Sequence, residues 1–255
     1  SHRKSYQMKK IITSLLILIS TFAASAQEKT KRVYFTEPLE CILQIAQTSF
    51  SDNNPARDGV RATCFTNFPY YMHLDFGKTF GIVPGIAIKN IGIKTKDEEI
   101  TQNSETTQYK KIKRRVFAAG ASLAIKCGSL KKEMWAYGGG GIDWAFHYRQ
   151  KLYKNGSSRD VSKSGEWTSN ATPTFIPSVF FGIQTPYSIN IKGTYYFNDF
   201  LNSNYNGSLG NFSNITQSQL FTLTISLVFN TGNDSKSSNT TEVDNQSPKN
   251  KIFEL

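Results

Sequence analysis

Two groups of side chains in this sequence have the types and spacing for proton transfer. His73 and Asp75 stand two residues apart, and Asp143, His147 and Arg149 follow at intervals of four and two. In extended backbone, residues an even number apart share a face, so each group converges on one side of a strand. A histidine beside a carboxylate is the usual equipment of a general acid–base catalyst. No serine stands where it would complete a nucleophilic site with them. A structural reading competes: charges enclosed together, with Lys126 and Lys192, must pair with one another. Gly138 to Gly141 suggests a phosphate loop. No Lys-Ser/Thr follows, and the run lies in a strand pattern instead of ahead of a helix. The glycines are therefore expected to relieve sheet curvature. The third candidate is basic: Lys110, Lys111, Lys113, Arg114 and Arg115, with Lys151, Lys154, Arg159 and Lys163 further on. Such clusters bind phosphate groups.

The elements that must hold these residues read as strands. Leu220 to Phe229 is LFTLTISLVF, in which Phe221, Leu223, Ile225, Leu227 and Phe229 alternate with Thr222, Thr224 and Ser226. That is a strand with one apolar and one polar face. Seven more segments follow the pattern: roughly 41–50, 68–76, 80–94, 114–126, 133–148, 175–184 and 187–197. In the third, Ile82, Ile86 and Ile88 face one way, and Ile91 and Ile93 suggest a phase slip, expected as a bulge near Asn90. In the fifth, Ile142, Trp144, Phe146 and Tyr148 oppose Asp143, Ala145, His147 and Arg149. Connections after the second, fourth and sixth strands are short. Those after the first, third, fifth and seventh are long: 51–67, 95–113, 150–174 and 198–218. Strands of about ten residues with short turns at one end and long loops at the other are the pattern of a transmembrane β-barrel.

Export is expected from the N-terminal segment. Lys9 and Lys10 precede an apolar run from Ile11 to Ala24, and Ala24-Ser25-Ala26 fits a signal-peptidase site. Residues 1–26 are read as upstream residues plus a cleavable signal peptide, 27–230 as the barrel, and 231–255 as a disordered tail too polar to bury a core. The chain carries a formal charge of +11, and setting aside Arg3, Lys4, Lys9 and Lys10 brings it to +7. An exported chain rarely meets nucleic acid, so no nucleic-acid partner is expected. Cys41, Cys64 and Cys127 can form one disulfide in an oxidising compartment and leave at least one thiol free. Their spacings match no zinc pattern, and no cofactor is expected.

The stretch FFGIQTPYSINIKGTYYF, Phe180 to Phe197, together with this architecture over about 32–230, resembles the small eight-stranded outer-membrane β-barrel proteins, the OmpA/OmpX-like and porin-like group. More narrowly, it resembles the short barrels of the Bacteroidetes group, where Gln commonly follows the cleavage site as Gln27 does here. The resemblance implies an all-β fold, a closed antiparallel up-and-down barrel of eight strands in the outer membrane of a Gram-negative cell. It carries over no catalytic residue. An eight-stranded barrel is filled by its own side chains, so His73, Asp75, Lys126, Asp143, His147, Arg149 and Lys192 are expected to form an interior polar network. Lys110, Lys111, Lys113, Arg114 and Arg115 are expected at the mouth of the second outer loop, facing lipopolysaccharide phosphates. The expected role is non-enzymatic: a scaffold or surface-binding module contacting outer-membrane lipids, or a protein partner through the outer loops or C-terminal tail. A narrow porin-like channel is the alternative, and a lipid-modifying enzyme a third.

Overall fold

The computed structural model describes residues 31–51, 56–102, 105–154 and 161–230. The signal segment, Arg159 and the C-terminal tail lie outside them. The architecture is all-β and antiparallel. Its strands are β1 (Lys31–Phe50), β2 (Arg57–Gly59), β3 (Arg61–Cys64), β4 (Phe68–Phe76), β5 (Phe80–Gln102), β6 (Glu105–Ser129), β7 (Met134–Tyr153), β8 (Val161–Trp167), β9 (Phe175–Gln184), β10 (Ile189–Tyr196), β11 (Asn206–Gly207), β12 (Gly210–Asn211) and β13 (Ile215–Asn230). Among the described residues the one helical element is a 3₁₀ turn, Leu130–Lys132, between β6 and β7.

The order of pairing is circular. It runs β13–β10–β9–β7–β6–β5–β4–β1, and β13 pairs back onto β1 from Thr36↔Asn230 to Phe50↔Ile215. The three short fragments fill gaps in this ring. β3 pairs β1 at Cys41↔Cys64, β4 pairs β1 lower down at Thr36↔Tyr71, and β2 pairs β5 at Gly59↔Lys94. The segment from β2 to β4 is thus one strand position, broken twice. Similarly β8 continues the position of β9 beside the upper half of β7. At the break before β4, side chains replace the missing ladder. The backbone N–H of Asn90 donates to Asn67 Oδ1 at 2.7 Å and that of Gly92 to Gln44 Oε1 at 2.6 Å, so neither is stranded. The guanidinium of Arg61 donates to both Gln44 and Asn90, at 2.5 and 2.6 Å.

Several expectations change here. Segment 95–113 is not a long loop, because β5 and β6 stay paired up to Gln102↔Glu105. The first strand starts ten residues earlier than expected, at Lys31. No bulge occurs at Asn90, since the β5–β6 register is continuous from Phe80↔Cys127 to Lys96↔Lys111. Ile91 and Ile93 are simply inward, in step with Val83, and the interior itself turns apolar at that height. The bulge lies on β7 instead. Phe117 pairs His147 while Ala118 pairs Ala145, so Phe146 has no opposite number. Cys41 and Cys64 are joined by a disulfide across β1 and β3, and Cys127 is free and exposed.

Side chains divide by face as the alternation demands. On β13 Thr222, Thr224 and Ser226 are buried while Phe221, Leu223, Ile225, Leu227 and Phe229 are exposed. Exposed apolar residues continue around the ring with Ile45, Ile86, Leu123, Phe181 and Ile191. A continuous outward apolar band of this kind is what a soluble monomer avoids. The main buried apolar cluster sits inside the upper end. Ile91, Ile93, Val116 and Tyr148 from the strands meet Phe200, Leu201, Leu209 and Phe212 from the segment between β10 and β13. Gln150 Nε2 donates to the carbonyl of Leu209 at 3.1 Å and Thr172 Oγ1 to that of Phe200 at 2.6 Å, tying the segment down. The glycine run lies within β7, where a Cβ on Gly139 would meet the Leu123 carbonyl at 2.1 Å. Close strand approach explains that glycine, and no phosphate loop is formed.

Candidate functional site on the outer wall

Above the apolar band, β5 to β8 stand side by side and carry cations in register. Lys94 pairs Lys113, Lys113 pairs Lys151, and Lys151 pairs Lys163, one row across four strands. Two residues lower, Arg115 pairs Arg149, with Gly92 and Gly165 on either side. Two residues higher, Lys96 pairs Lys111, which pairs Tyr153. These residues face outward, because the intervening Ile112, Arg114, Val116, Tyr148, Gln150 and Leu152 are buried. Below the arginines comes a ring-bearing row, Phe117, His147 and Trp167, in which the His147 ring lies 4.3 Å from Trp167 and 6.1 Å from Phe117.

Like charges directly opposite on a sheet repel. The Lys113 ammonium is held below the ordinary lysine range, first by partial burial and then by Lys111, Lys94, Arg61 and Lys151. Lys151 is lowered by burial and by Arg115, Lys163 and Arg149. Among the described residues no carboxylate forms an ion pair with Lys94, Lys113, Arg115, Arg149 or Lys151. Lys111 instead sits 4.1 Å over the Tyr153 ring and Arg115 5.4 Å over Phe117. A wall of mutually repelling cations with a flat outward aspect can hold a multivalent anion. No group of His, Cys, Asp and Glu among the described residues could hold a metal ion.

The expected basic cluster is therefore only partly on this wall. Lys111, Lys113 and Arg115 are, and Lys110 is exposed beside them where the ladder skips a residue. Arg114 is not: it is 1% exposed and points inside. Its guanidinium grips Glu98 with both terminal nitrogens, at 2.7 and 2.5 Å. Period two dictates this, since neighbours on a strand face opposite ways. The same period, read with the correct phase, adds Lys94, Lys96 and Arg149 to the wall.

The interior is paired in tiers. Lys126 Nζ lies 2.7 Å from Asp75, 3.0 Å from His73 Nδ1 and donates to the Tyr34 hydroxyl at 2.9 Å. Lys192 meets Glu40 at 3.2 Å and the Tyr71 hydroxyl at 3.0 Å, and Lys89 meets Asp143 at 2.7 Å. His73, Asp75, Lys126, Asp143 and Lys192 are thus brought into the ring as paired groups. His147 and Arg149 are not. The bulge at Phe146 reverses the phase of β7, so that Tyr148 and Gln150 face in and the two expected residues face out. Glu40, Lys89, Glu98 and Arg114 complete the tiers. Lys89 could have been found from its position one residue after outward Ile88. Glu40 lies just before the segment that the sequence pattern marks as strand.

No family model matches the chain, and no curated protein matches it. Among solved structures it is similar to Ail, the attachment invasion locus protein of Yersinia pestis, in complex with the heparin analogue sucrose octasulfate. That likeness has 10% identity and a TM-score of 0.34, and it covers 77% of this chain and 99% of that one. The all-β antiparallel architecture described above fits a small outer-membrane β-barrel protein.

Proposed function

We propose that the chain is a closed eight-stranded barrel of the outer membrane, non-enzymatic, acting as a scaffold or surface-binding module. Its cationic upper wall contacts the phosphates of lipopolysaccharide. One observation carries this reading: the exposed apolar band gives way, on the same strands, to aligned rows of unpaired lysine and arginine. In a membrane of about 30 Å hydrocarbon thickness the band would meet lipid chains and the rows the anionic headgroups. Tyr70, Trp144 and Phe197 on the outward face support an interfacial girdle. Tyr71, Tyr148 and Tyr196 turn inward.

The test is fractionation and gel mobility of residues 27–255. Outer-membrane location and a shift on boiling support the reading, and a soluble periplasmic product with no shift overturns it. The channel alternative predicts discrete conductance steps in a planar bilayer. The paired interior charges and the apolar cluster at the upper end argue for a filled lumen instead.

A further inference from the structure

We infer that the outer wall carries a built seat for one phosphorylated glycolipid of the outer leaflet, with an acyl groove below and a phosphate clamp above. This deepens the outer-membrane reading and rests on it. The groove runs down β6 between Ile86 and Ile88 of β5 and Ile142 and Trp144 of β7, with Ala119 and Ala121 as its floor. Phe68 and Phe175 extend its two walls. Its volume is about 500 Å³, open to the outside. The groove forms because the two alanines are in register with large neighbours on both sides: Ile88, Ala119 and Trp144 lie in one row, Ile86, Ala121 and Ile142 in the next.

Above it comes the row of Phe117, His147 and Trp167, and above that row, on the same strands, stand Arg115 and Arg149 and then Lys113 and Lys151. From Ala119 to Arg115 is four residues, roughly 13 Å along a strand. Two polar atoms at the junction are buried and lack a hydrogen-bond partner: Arg115 Nε and His147 Nδ1. They lie in adjacent rows between the groove and the clamp. Gly92 and Gly165 present no side chain beside the arginine pair, and guanidinium groups contact phosphate in a planar, bidentate way. The occupant must be apolar below and multiply anionic above. A soluble polyanion would leave the groove empty, and a neutral lipid would leave the cations repelling one another. A phosphorylated glycolipid satisfies both halves.

The experiment uses the full chain purified from outer membranes in mild detergent, with retained lipid A counted by native mass spectrometry. Lipid A stripped of its phosphates is the comparison. Two variants separate the halves: Ala119→Phe with Ala121→Phe fills the groove, and Arg115→Gln with Arg149→Gln removes the clamp. Each is first checked for the mobility shift on boiling, and if the phenylalanines abolish it, leucines at the same positions replace them. The expected result is one lipid A retained per wild-type chain, at least tenfold less on either folded variant, and no retention of the stripped lipid. Wild-type retention by the groove-filled variant overturns the seat while leaving a purely electrostatic wall standing. Wild-type retention by the clamp variant, or of the stripped lipid, overturns the phosphate half. A wild-type chain without the shift and outside the outer membrane overturns the underlying reading itself.

Discussion

Arg114 and Glu98 face each other inside the upper end of the ring as a bidentate ion pair, each side chain only 1% exposed. Thr95 donates its hydroxyl to the same carboxylate, and Gln150 accepts from Arg114 Nε at 3.3 Å. The pair fastens β5 to β6 beside the segment that fills the mouth, with the Arg114 guanidinium 5.2 Å over the Phe212 ring.

Removing one partner leaves the other charged and enclosed. Arg114→Ala or Glu98→Gln is expected to cost about 3–5 kcal/mol. The measurement is the temperature at which the boiling shift occurs. Replacing both together by methionine and leucine should recover most of that loss, because no orphan charge remains.

The repelling lysines give stability a definite pH dependence. A lysine whose folded pKa lies below its unfolded value opposes the fold whenever it is charged. That penalty is full at low pH and fades as pH rises from the folded value toward the unfolded one. Lys113 and Lys151 are both lowered, by burial and then by neighbouring cations. Thermal stability should therefore rise between neutral pH and the ordinary lysine range, and added salt should raise it at neutral pH. Lys113→Gln should flatten the pH slope. Anion binding runs oppositely and weakens across the same window.

The Cys41–Cys64 bond closes a loop of 23 residues' separation. In the chain-entropy picture such a crosslink contributes about 3 kcal/mol. Cys41→Ser with Cys64→Ser should lower the shift temperature, and reductant should do the same to the wild type but not to the double variant. A wild-type shift temperature that reductant leaves unchanged would mean that the bond does not form. Maleimide labelling of the oxidised protein should report one thiol, Cys127.

A filled mouth predicts electrical silence. Wild-type chain in a planar bilayer should show no discrete steps. Phe200→Ala with Phe212→Ala loosens the apolar cluster and should produce brief openings. Steady wild-type conductance would favour the channel alternative.

Much of the sheet was legible because its alternation is strong. Phe221 to Phe229 reads out its own two faces, and β4, β9 and β10 fell close to their expected places. The upper strands were hidden for a physical reason. Segment 95–113 is mostly polar, and its widely spaced Ile100, Tyr109 and Ile112 give no period-two signal, so its strand character comes from pairing β5 with β6 up to Gln102↔Glu105. The site was half legible. Residue types marked the basic cluster, but Arg114 was assigned with its neighbours when alternation sends it inward. Arg149 was placed inside because a single extra residue, Phe146, cannot be seen in a lone sequence. The disulfide was permitted by composition, yet its pairing depended on β3, a four-residue fragment.

The position in the chain of the segment that fills the mouth governs the order of assembly. Phe200, Leu201, Leu209 and Phe212 come immediately before β13, the strand whose pairing with β1 joins the two ends of the ring. Those ends are far apart in sequence, so their seam carries the largest loop-closure entropy and forms late. The stopper therefore arrives together with the last strand. On the outer-membrane reading proposed above, a chain assembled in this order is plugged at the same step that joins its first and last strands.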